Sequence, residues 1–168
     1  MPSAAQYYQM VENKTSCLPR MTVRMISELT GQNAETQAAL CRFINMMGAS
    51  FQIMDDVLAV DSDSYRKDKG GFCEDIQEGK RTLMVIHSYF YGWKGDRLLE
   101  ILNMKTSDEA LHKEAVDILR QDEAVDFAKN AAKQTMMKAW KQIEDVLPAS
   151  EAKEDLDSLT NFLINRSI

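Results

Sequence analysis

The chain has 168 residues, one domain's length, with 45% hydrophobic and 27% charged residues, the balance of a globular protein with a real core. Its formal net charge of −6 argues against a nucleic-acid binder, which needs a basic footprint. Cys17, Cys41 and Cys73 have no C-x-x-C spacing and read as reduced thiols, not a disulfide framework or a zinc site; no apolar run approaches the ~20 residues of a membrane span.

The N-terminal stretch "MPSAAQYYQMVENK" lacks the basic start and apolar core of a signal peptide. The expectation is a cytoplasmic protein, or an organellar one if a targeting segment precedes Met1. "AAQYYQMVENK" reads as a first helix that continues, past a disturbance at Thr15–Pro19, into "RMTVRMISELTG", where Gly31 can close it. "NAETQAALCRFINMMGASFQIMDDVLAV" follows, with Asn33 as N-cap. Its Leu40, Phe43, Ile44, Met47, Phe51, Met54 and Leu58 recur at spacings of three and four, the pattern of one buried face. Asp61–Gly79 is polar and glycine-bearing and reads as a loop. "RTLMVIHSYFYG" is apolar enough for a strand, but nothing nearby could pair with it, so a buried helix is expected. Amphipathic helices over "GDRLLEILNM", "SDEALHKEAVDILRQ", "DEAVDFAKNAAKQTMMKAWKQIEDVL" and "ASEAKEDLDSLTNFLINRS" complete the chain. Ser107 opens the second of these, and Pro148 separates the last two. There is no internal repeat and no linker, so residues 1–168 read as a single all-α domain, a helical bundle.

The chemistry-bearing feature is Asp55–Asp56 inside an otherwise apolar helix. Gln52, Asp55, Asp56 and Ala59 stand at i, i+3, i+4 and i+7 and share a side. Adjacent anions repel, and facing an interior they are tolerable only with a compensating cation. Oxygen-only donors suit a hard ion, and Mg²⁺ takes one or two protein carboxylates while substrate phosphates and water fill its other positions. Lys67, Lys69, Lys80 and Arg81 could neutralise such phosphates. Spacing alone leaves this reading open against the plainer one, in which paired acids and loop lysines are simply solvated. His87 reads as a core or interface histidine and His112 as a solvated one. Trp93 and Trp140 read as packing residues, and Met10, Met21, Met25, Met46, Met47 and Met54 as adaptable core filler.

"FQIMDDVLAV" followed by "KGGFCEDIQEGKRTLMVIH" resembles the second aspartate-rich region of the trans-isoprenyl diphosphate synthases, the polyprenyl synthetase family, whose pattern is roughly F-Q-x-x-D-D-x-x-D, a lysine, then D-[IL]-x-x-G-K-x-T-L. "YYQMVENKTSCL" resembles the family's Y-x-x-M-x-x-x-K-T-x-x-L helix, and the residues from Ala131 to Arg166 resemble its C-terminal helices. The resemblance implies the isoprenoid synthase fold, of which this chain would be the C-terminal half. It implies head-to-tail condensation of an allylic diphosphate with isopentenyl diphosphate, with Mg²⁺ as cofactor. It assigns Mg²⁺ to Asp55 and Asp56 and the allylic diphosphate to Lys14, Lys69 and Lys80. Thr15 and Gln52 would line the site where the allylic cation forms, and Asp75 would orient Lys80. Arg166 stands where family chains often end.

Three departures stand out. Ala59 occupies the place of the third acid, with Asp61 two residues on. Lys69 precedes Asp75 by six residues where the family lysine often precedes by five, and Gly70–Gly71 could absorb the difference. No other D-D pair exists, so the first aspartate-rich helix and the isopentenyl diphosphate site have no counterpart. The chain is therefore expected to be inactive alone. It would be a fragment, or a complementing or non-catalytic subunit of a heteromeric prenyl diphosphate synthase, and prone to homo-oligomerise through an exposed cavity wall of Phe43, Met47 and Met54. A terpene cyclase would carry an N-S-E-type second motif, which is absent, and a ligand-free helical scaffold would ignore Mg²⁺ and diphosphate.

Overall fold

The structure, a computed structural model, describes residues 1–61 and 74–165. The described residues are helical throughout: α1 (Ala4–Lys14), α2 (Cys17–Leu29), α3 (Ala34–Asp61), α4 (Glu74–Gln77), α5 (Leu83–Tyr91), α6 (Gly95–Met104), α7 (Glu109–Gln121), α8 (Ala124–Lys141) and α9 (Glu151–Asn165). The described residues fall into two compact units, one of residues 1–7, 53–61 and 74–130, the other of residues 8–52 and 131–165.

Side-chain and turn chemistry sets the helix ends. Ser3 and Gln6 form a capping box at the start of α1, with Ser3 N–H donating to Gln6 Oε1 at 2.8 Å and Gln6 N–H to Ser3 Oγ at 3.3 Å. The disturbance expected at Thr15–Pro19 is a break at Thr15–Ser16, and α2 begins at Cys17. Pro19 then sits in the first turn of α2, where its missing N–H costs nothing. Gly31, at φ +67°, closes α2 as expected. Gln32 N–H donates to Ser27 O at 2.9 Å and Gly31 N–H to Glu28 O at 3.3 Å, the paired bonds of a Schellman turn. Asn33 Oδ1 accepts from Thr36 N–H at 2.9 Å and caps α3. Thr82 caps α5, which is the buried helix expected for "RTLMVIHSYFYG". At α7 the cap is Asp108, which accepts from Ala110 N–H and Leu111 N–H, not Ser107. The carboxylate suits an N-terminus better than a hydroxyl because it also meets the positive end of the helix dipole.

In the unit of residues 8–52 and 131–166, Phe43 packs with Ala39, Ala139 and Ile143, ringed by Met46, Met47, Trp140 and Leu156. The Phe43 and Trp140 rings meet edge-on at 6.4 Å. Ser50 Oγ donates to Ala132 O at 2.9 Å, a close approach that small residues on both helices permit. In the other unit α5 packs on α6 and α7, α6 packs on α7, and α4 touches both α6 and α7. Arg97 of α6 grips Glu114 of α7 with two bonds of 2.8 Å.

Five expectations need correction. Met10, Met21 and Met25 are not core filler: all three are exposed. Phe43 and Met54 are buried and Met47 is partly covered, so they form no exposed wall. Trp93 is not a packing residue: it is 97% exposed. His112 is buried, its Nε2 2.7 Å from Thr106 O, and is not solvated. The tail of the expected 61–79 loop forms the single turn of α4; residues 62–73 lie outside the described residues. His87 is half-buried, as a core histidine would be, and stacks on Phe127 with ring centres 3.9 Å apart.

Two measurements check this packing. Phe43→Ala should cost about 3–5 kcal/mol, read in urea melts by Trp140 fluorescence in a Trp93→Phe background. Burial lowers the His87 pKa from 6.5, opposed in part by the Asp122 charge. The unfolded chain therefore takes up a proton at higher pH than the folded one. The stability this contributes is present above pH ~6.5 and is lost as pH falls through the folded value. Melts from pH 7 to pH 5 should show that loss, and His87→Phe should flatten it.

Candidate functional site

Asp55 and Asp56 lie in the last two turns of α3, where packing surrounds the helix: Ile53, Met54, Val57, Leu58 and Val60 are all buried. Successive residues on a helix differ by about 100° in direction, and the two acids have different surroundings. Asp56 is 7% exposed, and the Tyr7 hydroxyl of α1 donates to its Oδ2 at 2.7 Å. Asp55 is partly exposed. A buried carboxylate is tolerated only with such bonds. Asp61, the last residue of α3, accepts from Lys129 Nζ at 2.5 Å and from Arg120 at 3.4 Å. The Lys129 bond, opposed by burial and aided by the Arg120 charge, lowers its carboxyl pKa. Those bases also offset an anion placed at the negative end of a helix. They engage the acid that lies two residues beyond Ala59, where the third acid of the motif is missing.

Lys80 is positioned by a second Schellman turn. Gly79, at φ +70°, lets Gly79 N–H reach Ile76 O at 3.0 Å and Lys80 N–H reach Asp75 O at 2.8 Å. A Cβ on Gly79 would fall 2.5 Å from Leu102 O, so glycine is needed for space as well as conformation. The turn brings Lys80 Nζ to Asp75 Oδ1 at 2.7 Å and Glu78 Oε2 at 2.9 Å. Burial alone would lower the lysine pKa, but these two carboxylates outweigh it and raise it. Lys80 is thus a fixed cation at any physiological pH. Its neighbour Arg81 bonds to Gly79 O and to Asn103 and braces the turn against α6. The spacing D-I-x-x-G-K-R therefore divides into a presented lysine and a bracing arginine.

Thr15 and Gln52 are brought together in the other unit: Thr15 Oγ1 donates to Gln52 Oε1 at 2.9 Å. This bond orients the Gln52 amide, one turn before Asp55 along α3. Lys14 is exposed at the C-terminal end of α1, where a cation suits the helix dipole. Lys69, Lys67 and Arg166 lie outside the described residues. Sequence reasoning missed Tyr7 as a site residue. It is the tyrosine of the Y-x-x-M pattern, but its partner is 49 positions away and no local signal pairs them.

Among the described residues no three His, Cys, Asp or Glu side chains gather into a metal cluster. Two adjacent carboxylates with only oxygen donors still fit Mg²⁺, which needs no more from a protein when phosphates and water complete its shell.

The sequence model of the polyprenyl synthetase family matches residues 2–119, a range that contains every residue of the candidate site. The chain is 30% identical over 143 residues to the geranylgeranyl pyrophosphate synthase of Mucor circinelloides f. lusitanicus, covering 85% of this chain and 46% of that protein. It is also 30% identical over 163 residues to that of Dictyostelium discoideum, covering 97% and 52%. Among solved structures, the geranylgeranyl pyrophosphate synthetase from the archaeon Geoglobus acetivorans matches with TM-score 0.81 and 28% identity, over 98% of this chain and 49% of that one. The Pyrococcus horikoshii synthetase matches with TM-score 0.79 and 29% identity, over 99% and 50%. The chain spans about half the length of the curated relatives it matches. Among its described residues no helix is long and apolar enough to cross a membrane.

Tyr7→Phe removes a donor from a buried carboxylate and should destabilise the chain by about 1.5–3 kcal/mol, measured by urea denaturation at pH 7. A change within experimental error would mean that the Tyr7–Asp56 bond does not hold the acid.

Proposed function

The chain belongs to the polyprenyl synthetase family, and from that premise we propose that it carries the second Mg²⁺–diphosphate site of a trans-prenyltransferase. The reaction is head-to-tail condensation of an allylic diphosphate with isopentenyl diphosphate. The 168 residues form the C-terminal part of the synthetase domain. The supporting observation is the pair Asp55–Asp56, one acid buried on a tyrosine hydroxyl and the other partly open. The turn-fixed Lys80 lies in the same compact unit.

Asp55 and Asp56 would hold Mg²⁺, whose chemistry when bound is to neutralise diphosphate oxygens and stabilise charge on the leaving group. Tyr7 keeps Asp56 in place. Lys80, always charged, attracts a diphosphate oxygen and can exchange its Asp75 or Glu78 partner for it at little cost, since one anion replaces another. Lys14 and Lys69 add positive charge for the same diphosphate. Thr15 and Gln52 present a fixed, uncharged polar pair beside a developing allylic cation, which a free nucleophile would quench. Binding of isopentenyl diphosphate and the first aspartate-rich site belong to a complementing N-terminal half; a homo-oligomer of this chain would only bring together further copies of the same second site. A second reading makes the chain a non-catalytic or complementing subunit of a heteromeric synthase. It is favoured by the half-length match to the relatives.

Inorganic pyrophosphate with Mg²⁺ should stabilise the purified chain. At a hundred times the Kd the gain is about 2.7 kcal/mol, a rise in Tm of about 5–10 °C. The rise should vanish without Mg²⁺, in Asp55→Asn, and in Lys80→Met. A rise of equal size in those variants would place the diphosphate elsewhere.

A further inference from the structure

Helix α2 has its polar side inward. Ser16, at its N-terminus, and Ser27 are essentially inaccessible. Ser16 Oγ donates to Asn45 O at 3.2 Å, and Arg20 bonds to Asn45 Oδ1 at 2.9 Å and to Glu12 at 3.3 Å. These bonds fix the roll of the helix. On the opposite side Leu18 is 67% exposed, Met21 52%, Met25 56%, Ile26 54% and Leu29 84%. At 100° per residue these five, with Thr22 among them, span an arc of about 140°. No charge interrupts it, and Arg24 and Glu28 stand at one edge. Single exposed apolar residues are ordinary, whereas a contiguous apolar face of this kind marks an interaction surface.

We propose that this outward arc of α2 is the docking face for a helical polypeptide equivalent to the half of its relatives' chains that this chain leaves unmatched. Two observations choose that occupant. First, α2 cannot roll to bury the arc without breaking the Ser16 and Arg20 bonds, so another polypeptide must cover it. Second, the chain superposes almost end to end on the archaeal synthetases while accounting for about half of each. Those molecules therefore carry about as much protein again. Long unbranched Met and Leu side chains suit ridges-into-grooves packing against an apolar helix. The inference deepens the proposed function by naming the surface that the complementing half would use.

The probe is the unmatched half of the Geoglobus acetivorans synthetase, used in two ways and always without Mg²⁺ or diphosphate. Co-expressed with the 168-residue chain, it should co-purify, and Met21→Glu with Met25→Glu should reduce recovery at least tenfold. Alkylation of Cys17, an exposed thiol at the start of α2, should slow at least tenfold in the pair. Fused ahead of the chain as one polypeptide, the same half should make the double substitution lower Tm by about 10 °C or more. In the 168-residue chain alone those exposed positions should shift Tm little. The proposal is overturned by absent co-purification, by recovery insensitive to the substitutions, by equal Tm shifts in both contexts, or by a homodimer of the chain that the substitutions dissolve. Because the readouts contain no ligand, failure here leaves diphosphate binding standing. Loss of diphosphate binding would likewise leave docking intact.

Discussion

The need to keep two adjacent carboxylates charged on a helix packed on nearly every side governs the site. Apolar neighbours before and after the acids are buried, so the pair is less hydrated than a surface pair would be. The chain treats them unequally. Asp56 is anchored by a tyrosine from another helix, and Asp55 is left partly open. A further acid at the end of the same helix, Asp61, is tied to Lys129 and Arg120. The acid pair and the closing, neutralised acid are thus different solutions to one electrostatic cost.

The cation proposed to meet a diphosphate ligand has to be placed without a long helix beneath it, and the turn after α4 does this with backbone. A glycine at positive φ, crowded by the Leu102 carbonyl, fixes the chain direction. Lys80 is then bonded to Asp75 twice, once through its backbone N–H and once through its ammonium. Arg81 turns the other way, onto Asn103. The surface cost of holding Lys80 is small, since exposed pairs contribute little. Its value lies in position and in a charge that does not titrate away.

What could be read from the residues was mostly local. Asn33 as a cap, Gly31 as a helix stop, and an apolar helix over "RTLMVIHSYFYG" depend on chemistry within a few positions, and each appears in the structure. The acids and Lys80 stand out as candidates because motif spacing reflects local geometry, a helical turn in one case and a glycine turn in the other. Tyr7 was not, because its partner is fixed only by tertiary packing. His112 reads as surface by its charged neighbours, but the preceding loop folds a carbonyl onto it. Trp93 reads as core by its type, yet it sits in the turn between α5 and α6 with its ring outside. Met21 and Met25 read as core filler, whereas the bonds of Ser16 and Arg20 turn the small and polar side of α2 inward and leave them exposed.

The most direct test of the account replaces Mg²⁺ with paramagnetic Mn²⁺ and follows backbone amide resonances of the chain with and without pyrophosphate. The account predicts that Mn²⁺ with pyrophosphate broadens residues 52–59 of α3 and the amide of Lys80 before any others. Broadening that ignores pyrophosphate, or that centres on another acidic stretch such as the start of α9, would contradict it.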